Sequence, residues 1–224
     1  MLNQGEFVRV YGLDLSLAAT GVACIATGSQ PWVETLKPSP SLSRGCKRLD
    51  GLLKSVTLFL SAMRADEAAL DPSAFTLVML EGPLYNVPKL RTADGEREPS
   101  LRGYHERAGL WWMIAHRLWQ RGIPFAVCSP NTLKLYATGK GNAPKDSVFA
   151  SMVRRYPDVD DNNQADALVL ALMGLHRLTG MSLLGDAQHR DRALAGVDWP
   201  DHDGSLGYAG PFAAAAFDPA ERAS

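Results

Sequence analysis

Three carboxylates in this 224-residue chain stand where an ionised acid is expensive. Asp14 closes the apolar run that begins at Val8. Glu81 closes Phe75-Thr-Leu-Val-Met-Leu80. Asp166 heads Ala167-Leu-Val-Leu-Ala-Leu-Met-Gly-Leu175. A charge at the end of a buried element costs free energy unless it is paired or binds a metal. Carboxylates that converge at a sheet edge hold hard divalent ions through oxygen, Mg²⁺ or Mn²⁺ above all. Two such ions activate water and stabilise the leaving oxygen in phosphodiester cleavage. Plainer uses exist for each acid. Asp14 taken alone equally suits a turn capped through its own backbone. The run Asp160-Asp161-Asn162-Asn163-Gln164-Ala165-Asp166 also reads as caps and dipole-favoured acids at a helix start. Asp166, however, lies inside the apolar pattern, and a capping acid precedes it.

A basic segment accompanies the acids. Thr138-Gly139-Lys140-Gly141-Asn142-Ala143-Pro144-Lys145 is a glycine-punctuated loop, with Lys134 in the short helix before it. Backbone amides of a Gly-rich loop, a helix start and lysines suit a phosphate, and the lysines would neutralise a nucleic-acid backbone. The Walker pattern G-x-x-x-x-G-K-[ST] is absent from this loop. The net charge of −1 hides an asymmetry. Residues 129–156 carry five basic side chains against one acid, whereas residues 157–224 carry eleven acids against four arginines.

The elements that must position these groups follow from periodicity. Residues 8–14 and 22–25, joined through Thr20-Gly21, predict a β-hairpin, with a third strand at Trp32–Leu36. Helical spacing over 43–64 puts Leu49, Leu52, Leu53, Val56, Phe59, Leu60 and Met63 on one face, leaving Arg44, Lys47, Arg48, Lys54 and Arg64 on a solvated one. Phe75–Leu80 has no polar alternation, which predicts a central strand buried on both faces. Residues 84–103 read as a polar loop, of a length that is usually functional or mobile. A helix is expected over 104–120, with Trp111, Trp112 and Trp119 as core or interface anchors. A strand over 122–128, a short helix over 131–137 capped near Asn131, a helix from Pro144 to about Tyr156 and an apolar helix entered at Asp166 follow. A short helix over 186–194 and a mobile tail over 201–224 complete the chain, with Trp199-Pro200 packing back on the domain. This order suits an α/β, ribonuclease H-like fold: a mixed five-stranded sheet with helices on both faces.

Composition narrows the setting. Hydrophobic residues make up 46 %, ample for a core within a single domain plus tail. Cys24, Cys46 and Cys128 are odd in number and lack C-x-x-C spacing, so neither a disulfide framework nor a zinc site is expected. No signal peptide and no membrane-spanning apolar run is read, so a cytoplasmic protein without membrane partners is the expectation.

Four segments in order carry a resemblance. They are Gly12-Leu-Asp14-Leu-Ser-x4-Gly21, Leu80-Glu81-Gly82, Ser129-Pro130-x3-Lys134-x4-Gly139-x-Gly141-x-Ala143-x-Lys145, and Ala165-Asp166-Ala167-Leu168. Together they resemble RuvC-type Holliday junction resolvases, particularly the branch common in bacteriophages, over roughly residues 7–180 as the nuclease domain, with 181–224 as an extension. The resemblance implies a crossover junction endodeoxyribonuclease: a homodimer that binds four-way DNA junctions and makes paired nicks with Mg²⁺, for which Mn²⁺ substitutes. It implies Asp14, Glu81 and Asp166 as metal-binding catalytic acids. Lys134, Lys140 and Lys145 become DNA contacts, with Lys145 also stabilising charge at the scissile phosphate, and Tyr85 a stacking platform for a junction base. One position departs. The family's fourth ligand, an Asp or His three residues before the last Asp, is here Asn163, which offers a carbonyl oxygen without charge; Asp161 is the alternative.

Two other classes share parts of the pattern. Sugar kinases and actin-like ATPases also open on a G-x-D-x-[GS]-x-T hairpin, but need a second nucleotide-binding half with further glycine-rich phosphate loops. A non-cleaving junction-binding protein would keep the fold and lose the chemistry.

Overall fold

The computed structural model describes residues 7–38, 45–70, 75–82, 90–92, 95–97, 101–144 and 146–200. Strands β1 (Val8–Asp14), β2 (Thr20–Ala26) and β3 (Trp32–Leu36) form an antiparallel meander. Helix α1 (Gly45–Leu70) crosses to β4 (Phe75–Glu81), which pairs parallel with β1. A small hairpin, β5 (Leu90–Thr92) and β6 (Gly95–Arg97), lies within the segment read as a loop. Helix α2 (Leu101–Gln120) leads to β7 (Phe125–Cys128), parallel to β4. Helices α3 (Pro130–Thr138), α4 (Ser147–Val153), α5 (Asn162–Thr179) and α6 (Gln188–Ala195) follow. The main sheet has the order β3-β2-β1-β4-β7, a mixed five-stranded sheet.

Strand parity divides the core. Val8 and Val10 of β1, Leu77 and Met79 of β4, and Ala126 and Cys128 of β7 pack with α3, α4, α5 and α6 on one face. Tyr11 and Leu13, Val78 and Leu80, and Phe125 and Val127 pack with α1 and α2 on the other. The apolar run of β4 is thus buried from both sides, as the lack of alternation predicts.

Helix α5 lies almost directly on the sheet because three glycines make room. A Cβ on Gly12 would meet Ala167 O at 1.9 Å, one on Gly21 would meet Asn163 O at 1.9 Å, and one on Gly174 would meet Val10 Cγ1 at 2.6 Å. Asn163, Ala167, Ala171 and Gly174 recur at helical spacing, so one narrow stripe of α5 rides on β2 and β1.

Several boundaries differ from the sequence expectation. Ser129 caps α3, its side chain accepting from Thr132 N at 3.1 Å, and Pro130 takes the first turn, so Asn131 is not the cap. Helix α4 starts at Ser147, not Pro144, because a turn closed by Ser147 N donating to Pro144 O precedes it. It ends at Val153, short of Tyr156 and of Pro157, which restricts the residue before it. Strand β7 begins at Phe125; Gly122, in the left-handed region at φ 64°, turns the chain before it. Helices α1 and α2 extend past the expected ends, to Leu70 and from Leu101.

Packing continues beyond residue 180. Leu184, Ala193 and Val197 are buried with the α5 side of the core. Val127 and Asp198 exchange backbone hydrogen bonds at 2.9 Å on the outer edge of β7. Trp199 packs back and donates its indole N–H to Leu194 O at 2.9 Å. The tail expected over 201–224 lies outside the described residues.

Candidate metal centre

Sheet register brings the first two acids side by side. Leu13 pairs with Leu80, so the next residues, Asp14 and Glu81, are neighbours at the carboxyl ends of adjacent parallel strands, about 4.8 Å apart in backbone. By parity both follow the residues that face α5. Asp14 is 8 % exposed and Glu81 half-buried. Asp166 comes from α5 itself, one residue before the Ala167 carbonyl that rests on Gly12.

The electrostatics report the convergence. Burial pushes the Glu81 carboxyl well above the usual range, and the charge of Asp14, a hydrogen bond with Asp14 and the charge of Asp166 push it further. Among the described residues, the Arg107 guanidinium opposes, by its charge. Burial, then the charge of Glu81, also pushes up the thiol of Cys128, the register partner of Glu81 on β7. Among the described residues, no three His, Cys, Asp or Glu side chains are closed into a ready metal cluster. Asp14 and Glu81 hydrogen-bond each other, and Asp166 acts on Glu81 through its charge.

The fourth position resolves into two roles. Asp161 is the N-cap of α5: Gln164 N donates to its Oδ1 at 2.9 Å, and Thr35 Oγ1 donates to its Oδ2 at 2.7 Å. Both oxygens are therefore engaged in holding the helix start to β3, which argues against Asp161 as a ligand. Asn163 stands with its backbone against Gly21, the register partner of Asp14.

The basic segment leaves the sheet at the strand end beside Glu81. Glu81 pairs with Cys128, directly before the Ser129 cap of α3. The loop after α3 folds back, so that a Cβ on Gly141 would stand 3.2 Å from Asn131 O. Lys134 is half-buried on α3 and Lys140 exposed in the loop. Asn162 Nδ2 donates to Asp146 Oδ1 at 3.3 Å, tying the far end of the loop to the start of α5. Lys145 and Tyr85 lie outside the described residues.

No family model and no curated protein matches the sequence. Solved structures do. The structure of Thermus thermophilus RuvC is similar at 18 % identity and a TM-score of 0.53, covering 77 % of this chain and 96 % of RuvC. The same protein in complex with a Holliday junction substrate is similar at 16 % identity and a TM-score of 0.51, with the same coverage. The fold is RuvC-like.

Against that fold, helix α2 supplies two contacts that the sequence pattern did not flag. Trp111 is buried, and its indole Nε1 donates to the Glu81 backbone carbonyl at 2.8 Å. Arg107, one turn earlier, acts on the Glu81 carboxyl by charge. An i, i+4 pair of Arg and Trp carries no metal or nuclease signature, so only the tertiary structure identifies it.

The donor set fits a hard cation. By residue type it is all oxygen: three carboxylates and, at Asn163, an amide carbonyl. Burial and crowding push the Glu81 carboxyl above its usual range, and a divalent ion would favour its ionised form.

Proposed function

We propose that the protein is a divalent-metal-dependent endonuclease that resolves four-way DNA junctions, or related branched DNA, by paired nicks as a homodimer. One observation carries the reading: Asp14, Glu81 and Asp166 converge from three different elements on one edge of a RuvC-like sheet. Asp14, Glu81 and Asp166 would hold Mg²⁺ or Mn²⁺, with Asn163 as a neutral oxygen donor. A divalent ion bound there supplies an activated water and charge stabilisation at the leaving oxygen.

The protein's own groups do the rest. Asp14 and Glu81, set by β-register, fix two oxygens rigidly. Asp166 is set by the seat of α5 on Gly12. Lys134 and Lys140 neutralise the backbone as it reaches the acids, and Lys145, from the same loop, meets the scissile phosphate. Tyr85 would stack on a base opened at the branch. A dimer places two such sites on one junction, which paired nicking requires.

The test is cleavage of a synthetic four-way junction, labelled on each strand in turn, with Mg²⁺, Mn²⁺ or excess chelator. Symmetric nicks on opposite strands with either metal are expected. Asp14→Asn should lower the rate by more than about 100-fold, since even outer-shell changes at metal sites cost about 10–100-fold. Cleavage in chelator, or full activity in Asp14→Asn, refutes the reading.

A further inference from the structure

The basic loop approaches the acids from the α3–α5 side of the sheet. Helix α2 belongs to the opposite face and ends its contact with β4 at Glu81. Chain direction fixes what lies above that contact. β4 runs toward Glu81, and α2 then runs back toward the start of β7, so residues N-terminal to Trp111 stand toward the acid edge. Arg107 is one turn N-terminal to Trp111, about 6 Å along the helix, on the same side. Its side chain is exposed.

Its neighbours do not consume it. The adjacent Glu106 is ion-paired with Arg48 of α1, across the helix interface. Glu81 feels the charge of Arg107, yet among the described residues no ion pair closes on Arg107. A guanidinium carries five N–H donors in a fork that matches phosphate oxygens. Held exposed at the end of α2 that lies beyond Glu81, it is placed to meet an anion delivered to that edge.

We propose that Arg107 is a phosphate contact for DNA on the α2 side of the acids, so that the strand at the reacting edge is held from both sides. The inference rests on the nuclease reading, and gives it a residue outside the basic loop. Arg107 touches substrate, whereas Trp111 only positions the Glu81 strand end.

The experiment measures binding of a synthetic four-way junction without divalent metal, over a series of salt concentrations, for wild type, Arg107→Gln and Arg107→Lys. Each neutralised phosphate contributes about 0.9 to the slope of log affinity against log salt on duplex DNA. Arg107→Gln should lose about 0.9 of that slope and bind severalfold more weakly at low salt. Arg107→Lys should keep the slope, because the charge remains. An unchanged slope in Arg107→Gln overturns the proposal, and so does an equal loss of slope in Arg107→Lys, which would mark a structural role. Equal melting temperatures for the three proteins exclude misfolding as the cause of a loss; if Arg107→Gln does not fold, Arg107→Ala takes its place, a lost slope of about 0.9 supporting the proposal and an unchanged slope overturning it. Failure of wild type to bind the junction sinks the nuclease reading itself, a result distinct from either.

Discussion

Replacing Gly12 by alanine tests how closely the site depends on the seat of α5. The new methyl carbon would stand 1.9 Å from Ala167 O, 2.8 Å from Ala171 N and 2.9 Å from Ala167 C. All three are backbone atoms, so no rotamer change relieves the clash. Ordinary contact begins near 3.4 Å, so the helix must lift locally by about 1.5 Å, the shortfall at Ala167 O. Overpacking of this kind costs about 1–3 kcal/mol, at the upper end where backbone must move. For a domain of this size that is a fall in melting temperature of roughly 5–10 °C. Asp166 precedes Ala167 and moves with it, while Asp14 and Glu81 stay with the strands. A misplacement of about 1 Å at reacting groups costs on the order of 100-fold in rate. The assays are thermal melting and single-turnover junction cleavage well below the melting transition, so that loss of rate is not loss of fold. Gly103→Ala is the control: it adds a methyl with nothing within 4 Å, on an exposed helical position, and should be neutral or stabilising by up to about 1 kcal/mol. A Gly12→Ala protein that melts within about 2 °C of wild type and cleaves at the wild-type rate refutes the argument.

Other substitutions separate the remaining roles. Glu81 has a carboxyl raised in the folded state, so its contribution is fully present below its unfolded value and is lost as pH rises through the folded one. Metal-free protein should therefore melt progressively lower as pH rises from about 4.5, and Glu81→Gln should flatten that fall while abolishing cleavage; a pH series of melts in chelator checks it, and an unchanged fall in the Gln variant contradicts it. Millimolar Mg²⁺ should flatten the same curve in wild type by replacing the proton, and should leave Glu81→Gln nearly unaffected. Asp161→Ala removes an N-cap worth about 0.5–2 kcal/mol, whereas Asp161→Ser retains a capping oxygen; melting temperatures should separate the two while both still cleave, and loss of cleavage in Asp161→Ser would return Asp161 to the metal. Trp111→Phe leaves the Glu81 carbonyl without its indole donor and should cost about 1–3 kcal/mol in a chemical denaturation curve.

How much of this was legible in the sequence depended on the range of the signal. The uninterrupted apolar run of β4 is a local pattern, and the strand lies where that pattern puts it; the first hairpin forms too, but Thr20-Gly21, expected as its turn, belongs to β2, with Gly21 paired to Asp14 and residues 15–19 making the turn. The acids closing β1 and β4 were visible because a carboxylate directly after a core strand breaks a pattern. Asp161 was open in the sequence between cap and ligand, since both uses favour a helix start; its hydrogen bonds to Gln164 N and to Thr35, 126 residues away, show the cap. Helix starts slipped where two capping residues compete, as at Ser129 and Asn131, and where Pro144 closes a turn before α4. Trp111 was expected as a core or interface anchor and is buried, but its bond to Glu81 and the place of Arg107 left no trace, because they come from which strand end α2 reaches, and no spacing within α2 encodes that.

Parity is what turns the two legible acids into one site. Side chains alternate faces along a strand, so a slip of one residue moves a side chain to the opposite face of the sheet. Asp14 and Glu81 share the α5 face only because Leu13 pairs with Leu80. The two cores lock that register from both sides: Val10 and Met79 must meet α5 while Tyr11 and Val78 meet α1 and α2. A slip by one would bury neither set and would turn Glu81 toward Trp111, away from Asp166. Slippage by two would keep parity but move Glu81 about 6.6 Å along the strand, beyond reach of Asp14. The edge that carries Asp14 and Glu81 is therefore specified by apolar residues several positions away from it. Exchanging both Leu13 and Leu80 for valine, which trims volume without changing parity, should cost stability and spare the cleavage rate. A large loss of rate at unchanged metal affinity would show that the strand ends depend on finer packing than register alone.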